Sequence, residues 1–562
     1  MMQLFGRPYN KSMLLRELAH GKHTRRLLGG LLALNILLLL FFICFDYQLI
    51  FHSDAAVKNL LAQEIYDTGE YFPHQWNYVN NDLWVLYVHT WILPLLAVMP
   101  NGYAAHAISD IVSAALILGS TWLVTGVLGQ SRPARMLSLL IISSGMSLFM
   151  AEHVYGQAAY GSMYYMGCLL LYSYWSLSQA AGAARWRWSA ATMALTVLLF
   201  WANPQRALIY DALPLAAAAA ALQLLDWQEA RGQGRRPSWR QARQLALVAL
   251  AIGVGIALNH HVLKLVHNTA GLTQLQWVNF DGMTRNVMGT LHGLISMFDG
   301  MPRLDTKVAS AMGAYMLLRM LTALVVLALL PWALAKALQT QRRGRCFIAA
   351  FTLTSMLLNL LLTLTTGLAD MNAPESAIRY LVPPLLLMVL LLVSGIVDRR
   401  TLRPAMRAIG LGALAVLATS APATYLHPYA DWAGAGMHHG QVVNQNTQLI
   451  DYLEQQGLHY GYASYWNAGK LTVLSAQQLR IRPVDIIDGL PLPSRNLGSD
   501  RWYMPQAWQG PSFLLLTTEE MAALKLQPLA ALAGAPRLLE YQGWHILVFN
   551  ENLARTLPLW QR

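Results

Sequence analysis

Apolar stretches of about 20 residues, the length needed to cross a bilayer as a helix, recur between residues 27 and 425 and decide what this chain can become. They centre on residues 27–47, 104–128, 136–150, 159–180, 189–202, 207–225, 244–263, 310–336, 346–366, 379–397 and 408–425. The whole chain is 55% hydrophobic and only 12% charged, where soluble domains carry about 25% charge. That balance excludes a soluble globule, a disordered chain and a fibrous protein. The fold class is a polytopic α-helical membrane protein with about 11 transmembrane helices.

The formal charge of +12 invites a nucleic-acid reading, and the placement of the basic residues removes it. Segments 1–26, 129–135, 181–188, 226–243, 336–345 and 398–407 together hold 23 Lys and Arg. The alternating connections before residue 426 hold seven: Lys58, Arg206, Lys264, Arg285, Arg303, Lys307 and Arg379. Basic residues stay on the cytoplasmic side of membrane helices. The N-terminus is therefore expected in the cytoplasm and residues 426–562 outside, with the first apolar run acting as an uncleaved signal anchor. Cys44, Cys168 and Cys346 fall in or beside apolar runs and offer no disulfide framework or zinc motif.

Two domains follow: a transmembrane domain over 1–425 and a small α/β extracytoplasmic domain over 426–562. Within the first, the exterior loop 48–103 carries an amphipathic stretch, Val57 to Tyr66, and an apolar piece, Leu83 to Val98, both suited to helices lying in the membrane interface. A second long exterior loop, 264–309, is polar and mixed. The tail carries 19 charged residues in 137. Its short strand patterns near 460–466, 479–484, 512–517 and 545–549 alternate with helical stretches near 444–456, 468–475 and 519–524.

Charge near a membrane is costly, so ionisable groups at the outer ends of spans are candidates for function. Asp54 stands just beyond the first span; it can act as a general base on a hydroxyl, or cap the helix that starts near Ala55. Asp82, and Glu152 with His153, can form a polar acceptor site or offer oxygen and imidazole to a divalent cation such as Mg or Mn; solvated loop residues are the plain alternative. Asp110 and Asp211 lie within or at the edges of spans. Arg206 and Arg379 stand at headgroup depth, where a guanidinium suits phosphate. Snorkelling, or for Arg379 a pairing with Glu375 four residues back, is the structural alternative. Lys264 and Arg285 are weaker versions of the same idea. Trp76, Trp84, Trp91, Tyr164 and Tyr165 suit either sugar stacking or an interfacial belt.

Asp54 directly after the first span, the run Ala62-Gln63-Glu64-Ile65-Tyr66-Asp67-Thr68-Gly69 leading into Phe72-Pro73, and the aromatic stretch to Pro94 resemble the membrane glycosyltransferases of the GT-C superfamily. That superfamily includes protein mannosyltransferases and bacterial aminoarabinose transferases. Arg379-Tyr380-Leu381-Val382-Pro383 is similar to their Arg-Tyr-x-x-Pro pattern, and Gly461 to Ala468 is similar to the start of their extracytoplasmic domains. The resemblance implies a hexosyl- or pentosyltransferase of a bacterial inner (cytoplasmic) membrane. Its donor would be a polyprenyl-phosphate sugar such as an undecaprenyl phosphate derivative, and its acceptor a glycan, lipid or protein hydroxyl on the periplasmic face. It implies Asp54 as catalytic base and Arg379, with Tyr380 beside it, at the carrier phosphate. Ala55 stands where some members carry a second carboxylate, so no paired-carboxylate metal site is expected there. The competing classes are a flippase or transporter of polyprenyl-linked glycans, for which inverted repeats are missing, and an O-antigen-type polymerase, which relies on arginines in large exterior loops.

Overall fold

The computed structural model describes residues 22–234, 238–271, 275–302, 306–368, 371–398, 402–426, 436–438 and 441–560. Most of each expected apolar stretch is helical in it. Among the described residues eight helices are long and apolar enough to cross a membrane: α1 (Thr24–Ile50), α4 (Tyr103–Val127), α9 (Pro204–Gly232), α10 (Arg240–Leu263), α12 (Ala311–Leu338), α13 (Arg343–Thr365), α14 (Ile378–Val397) and α15 (Pro404–Tyr425). A ninth candidate is the pair α5 (Arg132–Ser143) and α6 (Leu148–Gly156), bent by 93°. Two helices of 21 residues, α7 (Ala159–Gln179) and α8 (Gly182–Ala202), lie between them. At 1.5 Å per residue each reaches about 31 Å, a bilayer's hydrocarbon thickness, although Tyr and Ser dilute α7 and Arg185 and Arg187 dilute the start of α8. The short apolar piece at 189–202 is thus the second half of a longer helix.

The bend between α5 and α6 corrects the expected single span at 136–150, and its cause is local. Gly145 (φ +71°) and Met146 (φ +59°) take left-handed conformations, which a continuing helix cannot absorb. A Cβ on Gly145 would come within 2.8 Å of the Tyr425 hydroxyl. Ser147 then restarts the helix by accepting the Met150 amide at 3.1 Å.

Hydrogen bonds join the connections into two ends. At one end Arg345 meets the Leu128 carbonyl at 3.0 Å and Asp398 at 2.9 Å, Arg343 pairs with Asp226, and Arg240 meets the Ala180 carbonyl at 2.9 Å. At the other end lies α2 (Ser53–Thr68), which stops at left-handed Gly69, followed by the short strand β1 (Asn77–Val79) and α3 (Val88–Ile92). β1 pairs in parallel with β2 (His267–Thr269), joining the two long loops expected on this side. Residues 264–309 are no plain loop, because they contain the 17-residue helix α11 (Phe280–Ser296), capped by Asn279.

The tail adds a short antiparallel pair, β3 (Gly436–His438) with β4 (Gln441–Val443), then α16 (Gln445–Gln455), β5 (Tyr460–Ala463), α17 (Tyr465–Leu474), β6 (Arg480–Ile487), β7 (Leu490–Pro493), β8 (Ser512–Leu516), β9 (Arg537–Tyr541) and β10 (Trp544–Phe549). The six later strands form a mixed sheet in the order β7-β6-β5-β8-β10-β9, with β5 parallel to both neighbours. Every residue of β5 and β8 is buried, as expected for strands covered on both faces. α17 covers one face and also packs on α2.

Glu64 of α2, almost fully buried, accepts the Ser499 hydroxyl at 2.8 Å and Arg501 at 3.2 Å, tying the tail to the helical body. Glu64→Ala strands these donors and should destabilise that junction by about 1–3 kcal/mol. Hydrogen exchange of residues 495–503 reads the effect; exchange as slow as in the unaltered protein would count against the clamp.

Candidate active site

Two chambers open at the end of the helical body that carries the sheet, and they share a wall. The first, about 1250 Å³ with the open space at its mouth included, is bounded by Lys58, Asp82, Trp84, Tyr87, Tyr160 and Arg206 and, deeper, by Met163, Met166, Leu198 and Leu199. The second, about 910 Å³ measured the same way, is bounded by His52, Glu152, His153, Phe149 and Trp466. Asp54, Gln157 and Arg379 line both.

Irregular helical turns aim these groups inward. Glu152 and His153 sit in the π turn Glu152–Gly156, Asp211 in the π turn Leu208–Ala212, and Arg379 in the 3-10 turn Ile378–Leu381. Widened or tightened turns redirect side chains that a regular helix would space evenly, and they cluster at functional sites.

Asp54 is not a helix cap. α2 begins at Ser53 with His52 as its unliganded N-cap, and the Asp54 carboxylate lies in the first turn, where the helix dipole favours negative charge. Its Oδ1 accepts a hydrogen bond from the Tyr465 hydroxyl at 2.8 Å. Lys58, one turn on, donates its ammonium to the Asp54 backbone carbonyl. The same ammonium lies 5.8 Å from the Tyr87 ring centroid and 6.0 Å from that of Trp84, within cation–π reach. Burial pushes the Lys58 amine down to about 8, against the pull of Asp54, Asp110 and Glu152 toward the charged form.

Asp82 and Arg206, distant in sequence, form one ion pair at 2.5 Å. Asn80 and Asn81, both at positive φ, make the turn that presents Asp82. Arg206 thus enters the first chamber already partly neutralised. Arg379 differs: its guanidinium lies 5.7 Å from the Tyr380 ring centroid, its Nε is buried without a hydrogen-bond partner, and no carboxylate among the described residues pairs with it. The side chain of Glu375 lies outside the described residues. Tyr380 lines neither chamber; its ring meets Tyr160 edge-on and its carbonyl accepts the Tyr210 hydroxyl at 2.7 Å.

In the second chamber Glu152 divides its oxygens between two imidazoles, His52 at 2.8 Å and His153 at 3.2 Å. Among the described residues no group of three or more His, Cys, Asp and Glu is disposed to hold a metal ion. Lys264 and Arg285 are exposed and line neither chamber. Asp110 is buried in α4 at 3.2 Å from His106, whereas Asp211 reaches the first chamber. Of the five aromatic candidates only Trp84 lines a chamber; Trp76 is buried against Trp502.

Lys58, Gln157, Tyr465 and Trp466 were not singled out from the sequence. Lys58 had a signal, since four residues after Asp54 places it on the same helical face. Tyr465 had none, lying 411 residues from its partner.

No protein-family model matches the chain, and no curated protein does. Solved structures do, among them the crystal structure of ArnT from Cupriavidus metallidurans in the apo state, at 11% identity. That alignment covers 88% of this chain and 93% of that chain, with a TM-score of 0.47.

Lys58 should be half deprotonated near pH 8. The pH dependence of Lys58 acetylation, read by mass spectrometry, tests this; a midpoint near the unperturbed lysine value of about 10.4 would show that burial does not penalise the Lys58 charge.

Proposed function

We propose that this chain is a membrane glycosyltransferase of GT-C type, moving a sugar from a polyprenyl-phosphate carrier to an acceptor hydroxyl with inversion. The observation that carries the reading is that Asp54 and Arg379 line both chambers. A carboxylate and a guanidinium that no carboxylate among the described residues pairs with, at one junction, suit a reaction that takes a proton from one reactant while negative charge grows on the other. The residues matched in the GT-C resemblance, Asp54 and the Arg379-Tyr380-x-x-Pro383 run, are the ones brought to this junction or beside it.

The first chamber suits the donor. Its wall of Met163, Met166, Leu198 and Leu199 is compatible with the start of a polyprenyl chain, and its mouth offers Lys58, Arg206 and Arg379 to a phosphate. The second chamber suits the acceptor, with Glu152 and His52 for hydroxyl groups and Trp466 for a sugar face. The acceptor oxygen attacks the anomeric carbon as the carbon–oxygen bond to phosphate breaks, through an oxocarbenium-like transition state. Asp54 takes the hydroxyl proton, a contribution of about 10² to 10⁴ in rate. The bonding electrons pass to the phosphate, where Arg379 and Lys58 meet the growing charge, and polyprenyl phosphate leaves. The Glu152 oxygens are already engaged by imidazoles and Ala55 follows Asp54, so no step is routed through a metal. With the basic connections in the cytoplasm, the chambers face the periplasm from a bacterial inner membrane, residues 1–425 forming the catalytic transmembrane part.

Purified protein given an undecaprenyl-phosphate-linked pentose or hexose and an envelope glycolipid extract should release undecaprenyl phosphate. Asp54→Asn should lower that release at least about a hundredfold with an unchanged melting temperature, and full activity would remove the proposed base. Arg379→Ala should weaken donor binding about tenfold or more, as expected when a charged hydrogen-bonding partner is lost; unaltered donor affinity would count against the phosphate role. EDTA should leave release largely intact, and inactivation by chelation with rescue by Mn²⁺ would reverse that expectation.

A further inference from the structure

The residue touching the Asp54 carboxylate comes from the tail. We propose that Tyr465 is a positioning residue for Asp54, so that the C-terminal α/β region completes the reaction centre. The inference rests on the glycosyltransferase reading and adds the source of the carboxylate's orientation.

Three contacts carry it. The Tyr465 hydroxyl donates to Asp54 Oδ1 at 2.8 Å, and no hydrogen bond among the described residues engages Oδ2. The Tyr465 backbone is held separately, because the Ser53 hydroxyl donates to its carbonyl at 2.5 Å. α17 also approaches α2 closely at Gly469, where a Cβ would lie 3.4 Å from Ser53 Oγ and 3.5 Å from both Ala56 Cβ and Leu60 Cδ1. Backbone and ring are therefore pinned on consecutive residues of α2, and Tyr465 and Asp54 cannot shift independently.

The chemistry suits positioning. Burial, and then the Asp54 charge, hold the Tyr465 phenol well above its ordinary range, so it remains a protonated donor. A donor on one carboxylate oxygen fixes the plane of the group, and a proton acceptor must be held in a productive geometry to be effective. The next residue, Trp466, packs edge-on against Tyr465 with ring centroids 5.3 Å apart and lines the second chamber. Leu497, also from the tail, lines the first. Each chamber thus takes a wall residue from the tail, and the base at their junction takes its hydrogen bond from it.

Tyr465→Phe keeps the ring, the Trp466 contact and the Ser53 bond to the backbone, and deletes only the hydroxyl. With an undecaprenyl-phosphate-linked sugar as donor and an envelope glycolipid extract as acceptor, kcat should fall about ten- to a hundredfold, the effect of losing one hydrogen bond to a charged group. KM for the donor should stay within about twofold, because no ground-state contact to substrate is lost, and any fall in melting temperature should be no more than that of one lost hydrogen bond. In an Asp54→Asn background the same change should cost nothing further, since groups acting as a unit are not additive. Unaltered kcat in Tyr465→Phe alongside an inactive Asp54→Asn overturns this inference and leaves the glycosyltransferase reading standing. A raised KM at constant kcat, or an undiminished extra loss in the Asp54→Asn background, also overturns it, pointing to substrate binding or packing instead. A fully active Asp54→Asn removes the underlying reading and the inference with it.

Discussion

Everything at the working end of this protein depends on how charge is held beside an apolar body. An ionised group there persists only when it is paired or faces a polar cavity. Asp82 and Arg206 satisfy each other, and Asp110 lies 3.2 Å from His106 within α4. Asp54, Lys58 and Arg379 are compensated differently: a phenol holds one carboxylate oxygen, a backbone carbonyl takes the ammonium, and a neighbouring aromatic ring lies beside the guanidinium. Among the described residues these contacts supply dipoles in place of full countercharge. All three groups line the first chamber, and Asp54 and Arg379 line the second as well.

The backbone bends to arrange this. A straight helix through 136–156 would carry Glu152 and His153 onward along the span axis; the 93° bend after Ser143 and the π turn that follows bring them to the second chamber. The same device recurs in α9, where a π turn places Asp211 beside the first. Such departures from regular geometry are tolerated in apolar surroundings only where other groups satisfy the freed backbone, and here the Ser144 hydroxyl meets the Leu417 carbonyl at 2.9 Å while Tyr425 reaches the Ser143 carbonyl at 2.8 Å.

The tail is bound in through the same logic. Residues 497–501 pair with the first exterior loop through Asn77 and with the second through the His267–Asp500 contact at 2.8 Å, while Glu64 receives Ser499 and Arg501. Those polar ties cross between surfaces that also bury apolar contact between α17 and α2, so the sheet is held in register with the chambers rather than tethered loosely above them.

Much of this was readable in the residues alone. The apolar stretches appear largely as helices, the basic connections gather at one end, and the strand and helix pattern of the tail emerges with β3, β4, β7, β9 and the helix Leu526–Ala533 among the additions. Asp54 and Arg379 stood out because an ionisable side chain at a span boundary violates a local expectation. These are local quantities: hydropathy over about 20 residues, a period, a charge at an edge. The sharp turn at Gly145, the Asp82–Arg206 pair and the meeting of Tyr465 with Asp54 follow from no such window. They depend on bends and packing between segments tens to hundreds of residues apart, and only the folded chain supplies those, because side-chain convergence is set by the relative placement of whole elements.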